Sequence, residues 1–266
     1  MPPEIVSAAG DITQLVRSAG QLALNYFRTS LGVDNKAVEG ALFDFDPVTE
    51  ADRVVEQHLR AGLTRMFADH AIMGEEEGET GSGPIRWVID PIDGTRAFII
   101  GQPMWGTLLG LQIEHEPIAG WMYLPAMDEM YWAIDSKSEL ITNAATSVIS
   151  TTQTANLSDA VMLCTHPSMF SPGIEQDRFN ALDAKVKMTR YAGDCANYGY
   201  LAAGWADLVV ENQLAPYDII PLIPIVEGAG GIVTDLDGNK PTNGGFVVAG
   251  ATPQIHSQAL NVLNGG

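Results

Sequence analysis

Residues 87–95 of the chain read Trp-Val-Ile-Asp-Pro-Ile-Asp-Gly-Thr, and this stretch decides how the rest of the sequence is interpreted. The first three side chains are apolar and predict a short buried strand. In a fully extended strand, Asp90 and Asp93 would face opposite sides of the sheet. Pro91 fixes its own φ angle and Gly94 permits a left-handed turn, so the chain can curl and bring the two carboxylates together.

The residues around this turn offer oxygen ligands to a cation and hydrogen-bond donors to an anion. The Ile92 carbonyl is a further oxygen ligand, and Thr95 stands where a short helix over residues 96–100 can begin. A hydroxyl and the free backbone N–H groups of a helix start suit an oxyanion. Metal-assisted phosphate chemistry requires this combination. The alternative is a plain tight turn with a helix cap, since Asp, Pro, Gly and Thr are all common turn residues.

Composition restricts the class of protein. The chain has 266 residues, of which 46% are hydrophobic and 18% charged, and this predicts one large globular domain or two packed halves. Its formal net charge of −19 leaves no basic surface for nucleic acid and disfavours an anionic membrane surface. No apolar run is long enough to span a bilayer. Cys164 and Cys195 lie far apart in no metal-binding pattern, which indicates two buried free thiols in a reducing cytoplasm.

Hydrophobic periodicity divides the chain into two parts. The first part has helices near residues 12–27 and from Thr49 onward, then strands separated by turns, as in an antiparallel meander. The polar stretch 147–156 is the predicted boundary, and beyond it strands and helices alternate. We therefore expect an α+β half over residues 1–146, which carries most of the candidate ligands, and an α/β half over residues 147–266.

Further carboxylates follow other predicted elements. Glu75 lies at the end of a short strand, 15 residues before Asp90, and could meet it at the same rim of the sheet. Glu76 and Glu77 are expected to belong to a solvated loop. Asp218 lies at the start of a helix in the second half, and a helix N-cap is the alternative interpretation of this residue.

The ligands that the sequence offers indicate which cation would bind. The His residues form no HxxxH or HExxH pair, so a zinc site built on imidazoles is not expected. An all-oxygen ligand set implies Mg²⁺ or Mn²⁺. Residues 49–52 fit a helix capping box, with Thr49 as the cap and Asp52 reaching back to it. A catalytic role for Asp52 is the alternative, and the two roles can coexist.

Four segments, taken in order, resemble the inositol monophosphatase superfamily of Mg²⁺-dependent, lithium-sensitive phosphatases. They are residues 46–52, 74–76, 87–95, and 217–218 followed by 227–231. Within that superfamily the chain is most similar to the histidinol-phosphate phosphatases of histidine biosynthesis. This likeness rests on residues 93–107, on residues 193–198, and on Glu211 followed by residues 214–218. The resemblance implies a layered α+β / α/β fold with alternating α-β-α-β-α layers, and a homodimer.

The resemblance also implies roles for individual residues. The ligands of roughly two to three Mg²⁺ ions, for which Mn²⁺ could substitute, would be Glu75, Asp90, Asp93, Asp218 and the Ile92 carbonyl. Thr95 and Asp52 would polarise the attacking water, and Glu75 and Asp90 would also be catalytic. Substrate contacts would come from Ile92, Asp93, Gly94, Thr95 and Asp218 around the phosphate, and from Arg190, Asp194 and Glu211 around the remainder of the molecule.

Lys36 departs from the pattern of the resembled family. Close relatives have a lysine a few residues before the Pro-Val-Thr segment, whereas here the longer and more apolar stretch 37–45 follows Lys36. We therefore expect Lys36 to be a solvated loop residue.

The predicted activity is hydrolysis of a phosphomonoester by direct attack of a metal-activated water, without a phosphoenzyme. Asp194 and Glu211 near the leaving group favour L-histidinol phosphate, which carries an ammonium group, over inositol phosphate, which offers only neutral hydroxyls. The alternatives are a helix N-cap for Asp194 and a surface charge at a strand end for Glu211. The competing enzyme is an inositol or broad-specificity sugar monophosphatase. A catalytically silent regulator that binds metal or phosphate is a hypothesis of another class.

Overall fold

The computed structural model describes residues 1–30, 32–36 and 47–266. Its helices are α1 (Pro3–Leu24), α2 (Glu50–Met66), α3 (Thr95–Ile99), α4 (Ile174–Asp183), α5 (Ala196–Ala202), α6 (Pro216–Ile219), α7 (Leu222–Gly228) and α8 (Pro253–Leu263). Its strands are β1 (Val33–Asn35), β2 (Pro47–Thr49), β3 (Ala71–Gly74), β4 (Gly78–Thr80), β5 (Ile85–Asp93), β6 (Gly106–Ile113), β7 (Glu116–Leu124), β8 (Glu129–Ile134), β9 (Lys137–Ile141), β10 (Thr146–Val148), β11 (Val161–Cys164), β12 (Met188–Tyr191), β13 (Leu208–Leu214), β14 (Ile232–Thr234) and β15 (Gly245–Gly250). Asp46, the first residue of the first matching segment, lies outside the described residues.

Eight strands form the first sheet, in the order β10-β9-β8-β7-β6-β5-β3-β4. Neighbouring strands from β5 to β10 pair antiparallel, which confirms the predicted meander. β3 instead runs parallel to β5, with Gly74 beside Ile89. Parallel strands point the same way, so the residues that follow β3 and β5 emerge at one edge of the sheet.

Five strands form the second sheet, in the order β12-β11-β13-β15-β14. β11 is parallel to β12 and β13, whereas β15 is antiparallel to β13 and β14. Side chains along these strands alternate between two hydrophobic clusters. Leu163 and Val209 pack with α5 and α7, while Met162 and Val210 pack with α4 and α8. This alternation is the period-two pattern of strands that are buried on both faces.

The same alternation in the first sheet produces a five-layered molecule. Trp121 on β7 packs with Val16 of α1 and Leu59 of α2, whereas the next residue, Met122, packs with α5 and α7. The layers are therefore α1 and α2, the first sheet, α5 and α7, the second sheet, and α4 and α8. The predicted α-β-α-β-α arrangement is confirmed.

The middle helical layer joins the two predicted halves. β10 pairs with β9, with Ser147 opposite Leu140, so the first sheet continues to Val148, past the boundary predicted after residue 146. α5 and α7 come from the second half of the sequence but contribute to a cluster that contains side chains of both sheets. The two halves consequently share one central hydrophobic layer.

A close contact on the first sheet positions α6. Gly110 and Gly120 are cross-strand partners on β6 and β7. A Cβ atom on Gly120 would lie 1.8 Å from the Pro221 carbonyl oxygen, and one on Gly110 would lie 3.1 Å from the Pro221 Cα. The two glycines therefore let the backbone after α6 rest directly on the sheet. This contact holds α6, with Asp218, against the sheet that carries β5.

Candidate active site

A cavity of about 770 Å³ lies where the ends of β3 and β5 face α6 and the end of β13. Its lining includes residues of both sheets and of the connections between them. The carboxylates of the cavity belong to Glu75, Asp90, Asp93, Asp194, Glu211 and Asp218. Most of the predicted site residues, although distant in sequence, thus share one cavity.

The turn after β5 has the conformation that its sequence predicts. Asp90 lies opposite Leu108, and Asp93 lies opposite Gly106. The two acids are therefore three positions apart on β5, whereas their partners are two positions apart on β6. This bulge adds one residue and returns Asp93 to the side that Asp90 faces. Gly94 follows with a φ of 84°, in the left-handed region. The predicted curl that brings the two acids together is confirmed.

Asp90, Asp93 and Asp218 form a cluster in which one carboxylate oxygen of each lies within 4.8 Å of the others. Asp93 Oδ1 accepts a hydrogen bond from the Cys195 N–H at 2.8 Å, and Asp218 Oδ2 accepts one from the Ala215 N–H at 2.7 Å. Asp90 Oδ1 is buried and has no hydrogen-bond partner in the described part of the chain. Because an unpaired buried carboxylate oxygen is costly, this cluster has the character of a cation site.

The acidity of the cluster supports the same conclusion. Burial, followed by the charge of Asp218, raises the pKa of Asp93 to about 7. Burial also raises the pKa of Asp218 to about 7. The hydrogen bond from Ala215 opposes this shift, and the charge of Glu75 adds to it. Burial raises the pKa of Asp90 well above its ordinary value, and the charges of the neighbouring carboxylates raise it further. A divalent cation would relieve this repulsion, and the all-oxygen donor set fits Mg²⁺ or Mn²⁺.

Asp218 and Asp52 occupy equivalent positions in their helices. Asp218 is not the N-cap of α6, since Ala215 is, and its carboxylate reaches back to the Ala215 N–H. In α2 the Thr49 N–H and hydroxyl both donate to Asp52 Oδ2, at 2.8 and 2.7 Å, which confirms the predicted capping box. Asp52 is buried and does not line the cavity, and burial raises its pKa to about 6 despite the Thr49 hydrogen bonds. Its catalytic role stays a prediction.

Glu75 and Lys36 line the cavity beside the aspartate cluster. Lys36 Nζ donates to Glu75 Oε1 and to Glu76 Oε1, both at 2.7 Å. The expectation that Lys36 and Glu76 are solvated is therefore wrong, and only 6% of the Glu76 side chain is exposed. Burial alone would lower the pKa of Lys36, but the Glu75 and Glu76 carboxylates outweigh it and raise that pKa. Burial raises the pKa of Glu75 to about 7 although Lys36 opposes the shift.

Three predicted phosphate and cation contacts lie in or just after the bulge. Ile92, Gly94 and Thr95 all line the cavity, and α3 begins at Thr95. The Thr95 hydroxyl donates to the Ile92 carbonyl at 3.0 Å. The first N–H groups of a helix have no intrahelical acceptor, which leaves donors at this end of the cavity. The assignments of the Ile92 carbonyl to a cation and of the Gly94 and Thr95 amides to a phosphate stay predictions.

Asp194 and Glu211 line the same cavity but are held differently. Asp194 precedes α5, whose N-cap is Cys195, so the N-cap alternative for Asp194 is wrong. Burial first, then the Asp93 and Glu211 charges, raise the pKa of Asp194 well above its ordinary value, while Arg96 opposes the shift.

Glu211 is only 2% exposed, so the surface-charge alternative for it is also wrong. Its Oε1 accepts from the Thr165 N–H at 3.0 Å, the Thr165 hydroxyl at 2.7 Å and Asn197 Nδ2 at 3.1 Å, and its Oε2 accepts from the Tyr198 hydroxyl at 3.1 Å. β13 lies in the middle of its sheet, and the packing of α5 on that strand buries the Glu211 side chain.

Arg190 is the predicted substrate contact that the structure places elsewhere. It lies on the edge strand β12 with an exposed side chain and does not line the cavity. The cavity instead includes Lys36, Arg96 and His166, to which the sequence interpretation gave no role. Arg96 lies inside the quoted segment 93–107, so its position was available as a signal, whereas nothing near His166 in the sequence indicated a site.

The fold and the acidic cavity define a metal-dependent phosphatase, and the comparisons with known proteins identify its family. The model of the inositol monophosphatase family matches residues 6–264, and the chain belongs to this family. It is 35% identical over 227 residues to a histidinol-phosphatase of Streptomyces coelicolor, covering 83% of this chain and 85% of that protein. It is 35% identical over 261 residues to the chloroplastic bifunctional phosphatase IMPL2 of Arabidopsis thaliana, covering 94% and 72%. A solved inositol monophosphatase of Zymomonas mobilis superposes with a TM-score of 0.83 at 33% identity, covering 97% and 98%.

Proposed function

We propose that this chain is a Mg²⁺-dependent phosphomonoester hydrolase whose substrate is L-histidinol phosphate. The observation that carries the choice of substrate is that two further acids, the partly buried Asp194 and the buried Glu211, line the same cavity as Asp90. A phosphate ester with an ammonium group in its leaving group gains from these charges, whereas an inositol phosphate offers only neutral hydroxyls there.

Asp194 and Glu211 would contribute to this preference in different ways. Glu211 accepts four hydrogen bonds from the protein, so it would supply negative charge from a fixed position in the cavity wall. Within the described residues, no hydrogen-bond donor contacts the Asp194 carboxylate, which is nevertheless largely buried beside Asp93. Asp194 is therefore the acid proposed to bind the substrate ammonium directly.

The residues near the cluster would divide the catalytic work. Glu75, Asp90, Asp93, Asp218 and the Ile92 carbonyl would hold the cations. Mg²⁺ bound there would lower the pKa of a water and neutralise the phosphate oxygens. Glu75 would act in catalysis through the cation that it holds. The Gly94 and Thr95 amides would orient the phosphate so that the ester bond lies toward Asp194.

The test compares the kcat/KM values of L-histidinol phosphate and inositol 1-phosphate, for the natural protein and for the variant Asp194→Asn. We expect the natural protein to prefer histidinol phosphate and the variant to lose at least about tenfold of that preference, since a charge-assisted hydrogen bond contributes about 1.5–3 kcal/mol. Hydrolysis of a neutral sugar phosphate should change little in the variant. A natural protein that prefers the inositol ester would reject histidinol phosphate as the substrate.

The second candidate is an inositol or broad-specificity sugar monophosphatase. It is favoured by the solved inositol monophosphatase of Zymomonas mobilis, whose fold and length this chain matches. A panel of small phosphomonoesters, assayed with and without Mg²⁺, separates the two enzymes. Release of no phosphate from any of them would instead favour the silent regulator.

A homodimer in the cytoplasm is the proposed state of the enzyme. Across the residues that the structure describes, no helix is long and apolar enough to cross a membrane. Both cysteines are buried free thiols, as expected for a reducing compartment. Light scattering coupled to size-exclusion chromatography tests the dimer, since a mass of 28.5 kDa corresponds to a single chain.

A further inference from the structure

The buried side of α2 carries a row of charged residues where an amphipathic helix normally carries apolar ones. Asp52, Glu56 and Arg60 follow one another at intervals of four residues and are all buried, Glu56 completely. Buried charges are tolerated where they are paired, so their partners indicate what the row is for. Asp52 belongs to the capping box described above, but Glu56 and Arg60 have no role in it.

Glu56 and Arg60 hold the turn that carries Glu75. Glu56 Oε2 accepts from the Glu76 N–H at 2.7 Å, and Glu56 Oε1 accepts from the Glu77 N–H at 3.0 Å. Arg60 Nε donates to Glu56 Oε1 at 2.8 Å. Two consecutive backbone amides directly after Glu75 are therefore fixed by one carboxylate.

The guanidinium of Arg60 extends this contact to the far end of the same turn. It donates to the Gly78 carbonyl through Nη2 and to the Thr80 hydroxyl through Nη1, the latter at 3.0 Å. The ion pair thus contacts residues 76 and 77 of the turn and residues 78 and 80 of β4. Charge-assisted hydrogen bonds of this kind fix geometry as well as adding energy.

Gly74 provides an independent sign that the contact is close. A Cβ atom on this residue would lie 2.1 Å from Glu56 Oε1 and 2.7 Å from Arg60 Nη2. The glycine before Glu75 therefore leaves the space in which the ion pair reaches the backbone. A glycine is therefore needed at position 74 because the ion pair approaches the backbone closely there, and not because the residue has a left-handed φ.

We propose that Glu56 and Arg60 are positioning residues that hold Glu75 in the orientation it needs to bind a cation. This inference rests on the proposed function, because it takes Glu75 to be a cation ligand. Without the ion pair, the amides of Glu76 and Glu77 lose their acceptor and the Glu75 side chain is no longer directed into the cavity. Groups that orient metal ligands typically affect metal affinity by about 10- to 100-fold.

The test compares Glu56→Gln with Leu63→Ala, a variant that removes a buried apolar side chain of the same helix with no part in the hydrogen bonds to residues 76–80. Glu56→Gln keeps the shape of the side chain but places an NH₂ group against donors. Mg²⁺ affinity of the metal-free proteins is measured by calorimetry, and hydrogen exchange follows the Glu76 and Glu77 amides. We expect Glu56→Gln to weaken Mg²⁺ binding by about 10- to 100-fold and to speed exchange at both amides. Leu63→Ala should lower the thermal midpoint but leave both readouts unchanged.

Unchanged Mg²⁺ affinity in Glu56→Gln, or an equal loss in Leu63→Ala, would overturn the inference. If Glu56→Gln does not fold, Arg60→Lys serves instead, because it keeps a positive charge but loses the fork that contacts Gly78 and Thr80. It should weaken Mg²⁺ binding in the same direction, and unchanged binding would again overturn the inference. Failure of the proposed function gives a different result, in which the natural protein binds Mg²⁺ but hydrolyses no phosphomonoester.

Discussion

The two sides of the cavity treat their buried carboxylates in opposite ways. On the side of the first sheet, Asp90 has a buried oxygen without a donor in the described chain, and two further acids lie against it. On the side of the second sheet, Glu211 is equally buried but accepts hydrogen bonds from Thr165, Asn197 and Tyr198. A cation would therefore stabilise the first side, whereas the Glu211 carboxylate on the second already has protein donors.

The difference shows that burial of an acid alone does not identify its role. Both carboxylates line the same cavity, and burial raises the pKa of both. What separates them is the number of donors that each receives. Carboxamide substitution on the two sides should accordingly have opposite effects on stability, and this is the sharpest way to test the comparison.

The largest effect is expected from Asp90→Asn. Loss of a cluster carboxylate should reduce kcat/KM by at least about 10³-fold, since cation stabilisation of the phosphoryl group supplies several kcal/mol. In the presence of a chelator the variant should unfold at a higher temperature than the natural protein, because a buried charge without a donor has been removed. Steady-state kinetics and thermal unfolding in EDTA measure the two effects. Near-normal turnover of this variant would remove the cation assignment.

Glu211→Gln is the matched substitution on the other side. Its new NH₂ group would face groups that now donate to the carboxylate, so stability should fall by about 1–3 kcal/mol. Calorimetric Mg²⁺ affinity should stay that of the natural protein. Denaturant titration measures the loss of stability, and a gain in stability would mean that the two sides do not differ as described.

The pH dependence of Mg²⁺ stabilisation is a smaller effect that sharpens the comparison. The pKa values of Asp93 and Asp218 are raised to about 7 in the folded metal-free protein, whereas the ordinary pKa of an aspartate is 3.8. Between these two pH values, the folded protein holds protons that the unfolded chain has released. Their contribution to stability is thus present at low pH and lost as the pH rises to about 7. Since protons compete with the cation, the midpoint shift caused by Mg²⁺ should be larger at pH 8 than at pH 6. Equal shifts at both pH values would contradict a cation site at these acids.

The smallest effect concerns His256, a buried titratable group outside the cavity. Its Nε2 lies 2.9 Å from the Thr234 hydroxyl oxygen, and burial lowers its pKa below the ordinary 6.5. As the pH falls, His256 therefore takes up a proton in the unfolded chain before it does so in the folded protein. The free energy of unfolding consequently decreases as the pH falls below 6.5. In His256→Asn the fall in stability between pH 7 and pH 5.5 should shrink by about 1 kcal/mol or less. Denaturant titrations at the two pH values measure it, and the metal-linked shift should not change.

Local features of the site were predictable because residues a few positions apart determine them. Pro91 and Gly94 set the curl after β5, and Thr49 with Asp52 forms the capping box that the spacing indicates. The position of Glu75 in the same cavity as the aspartates also followed from a simple rule, since strand ends at one edge of a sheet come together. The five-layered fold followed from the resemblance to a family.

Predictions failed where the answer depended on packing between distant segments. Lys36 pairs with Glu75 and Glu76, 39 and 40 residues away, and no local pattern indicates that pairing. Arg190 was assigned to the substrate, but β12 is an edge strand and leaves its side chain exposed outside the cavity. In each case the order of strands, rather than the residue type, determined the environment.

The sequence by itself determined which residues could act as ligands, how the chain turns after β5 and to which family the fold belongs, because side-chain chemistry and backbone preferences operate over a few residues. Only the tertiary structure decided which buried carboxylates receive donors and which do not. Glu211 acquires its partners from the residue after β11 and from α5, and Glu56 acquires the amides beyond Glu75. Hydrogen bonds at that range exist only after the sheets and helices have packed, and they distinguish an acid left without donors, which could bind a cation, from one that the protein itself pairs.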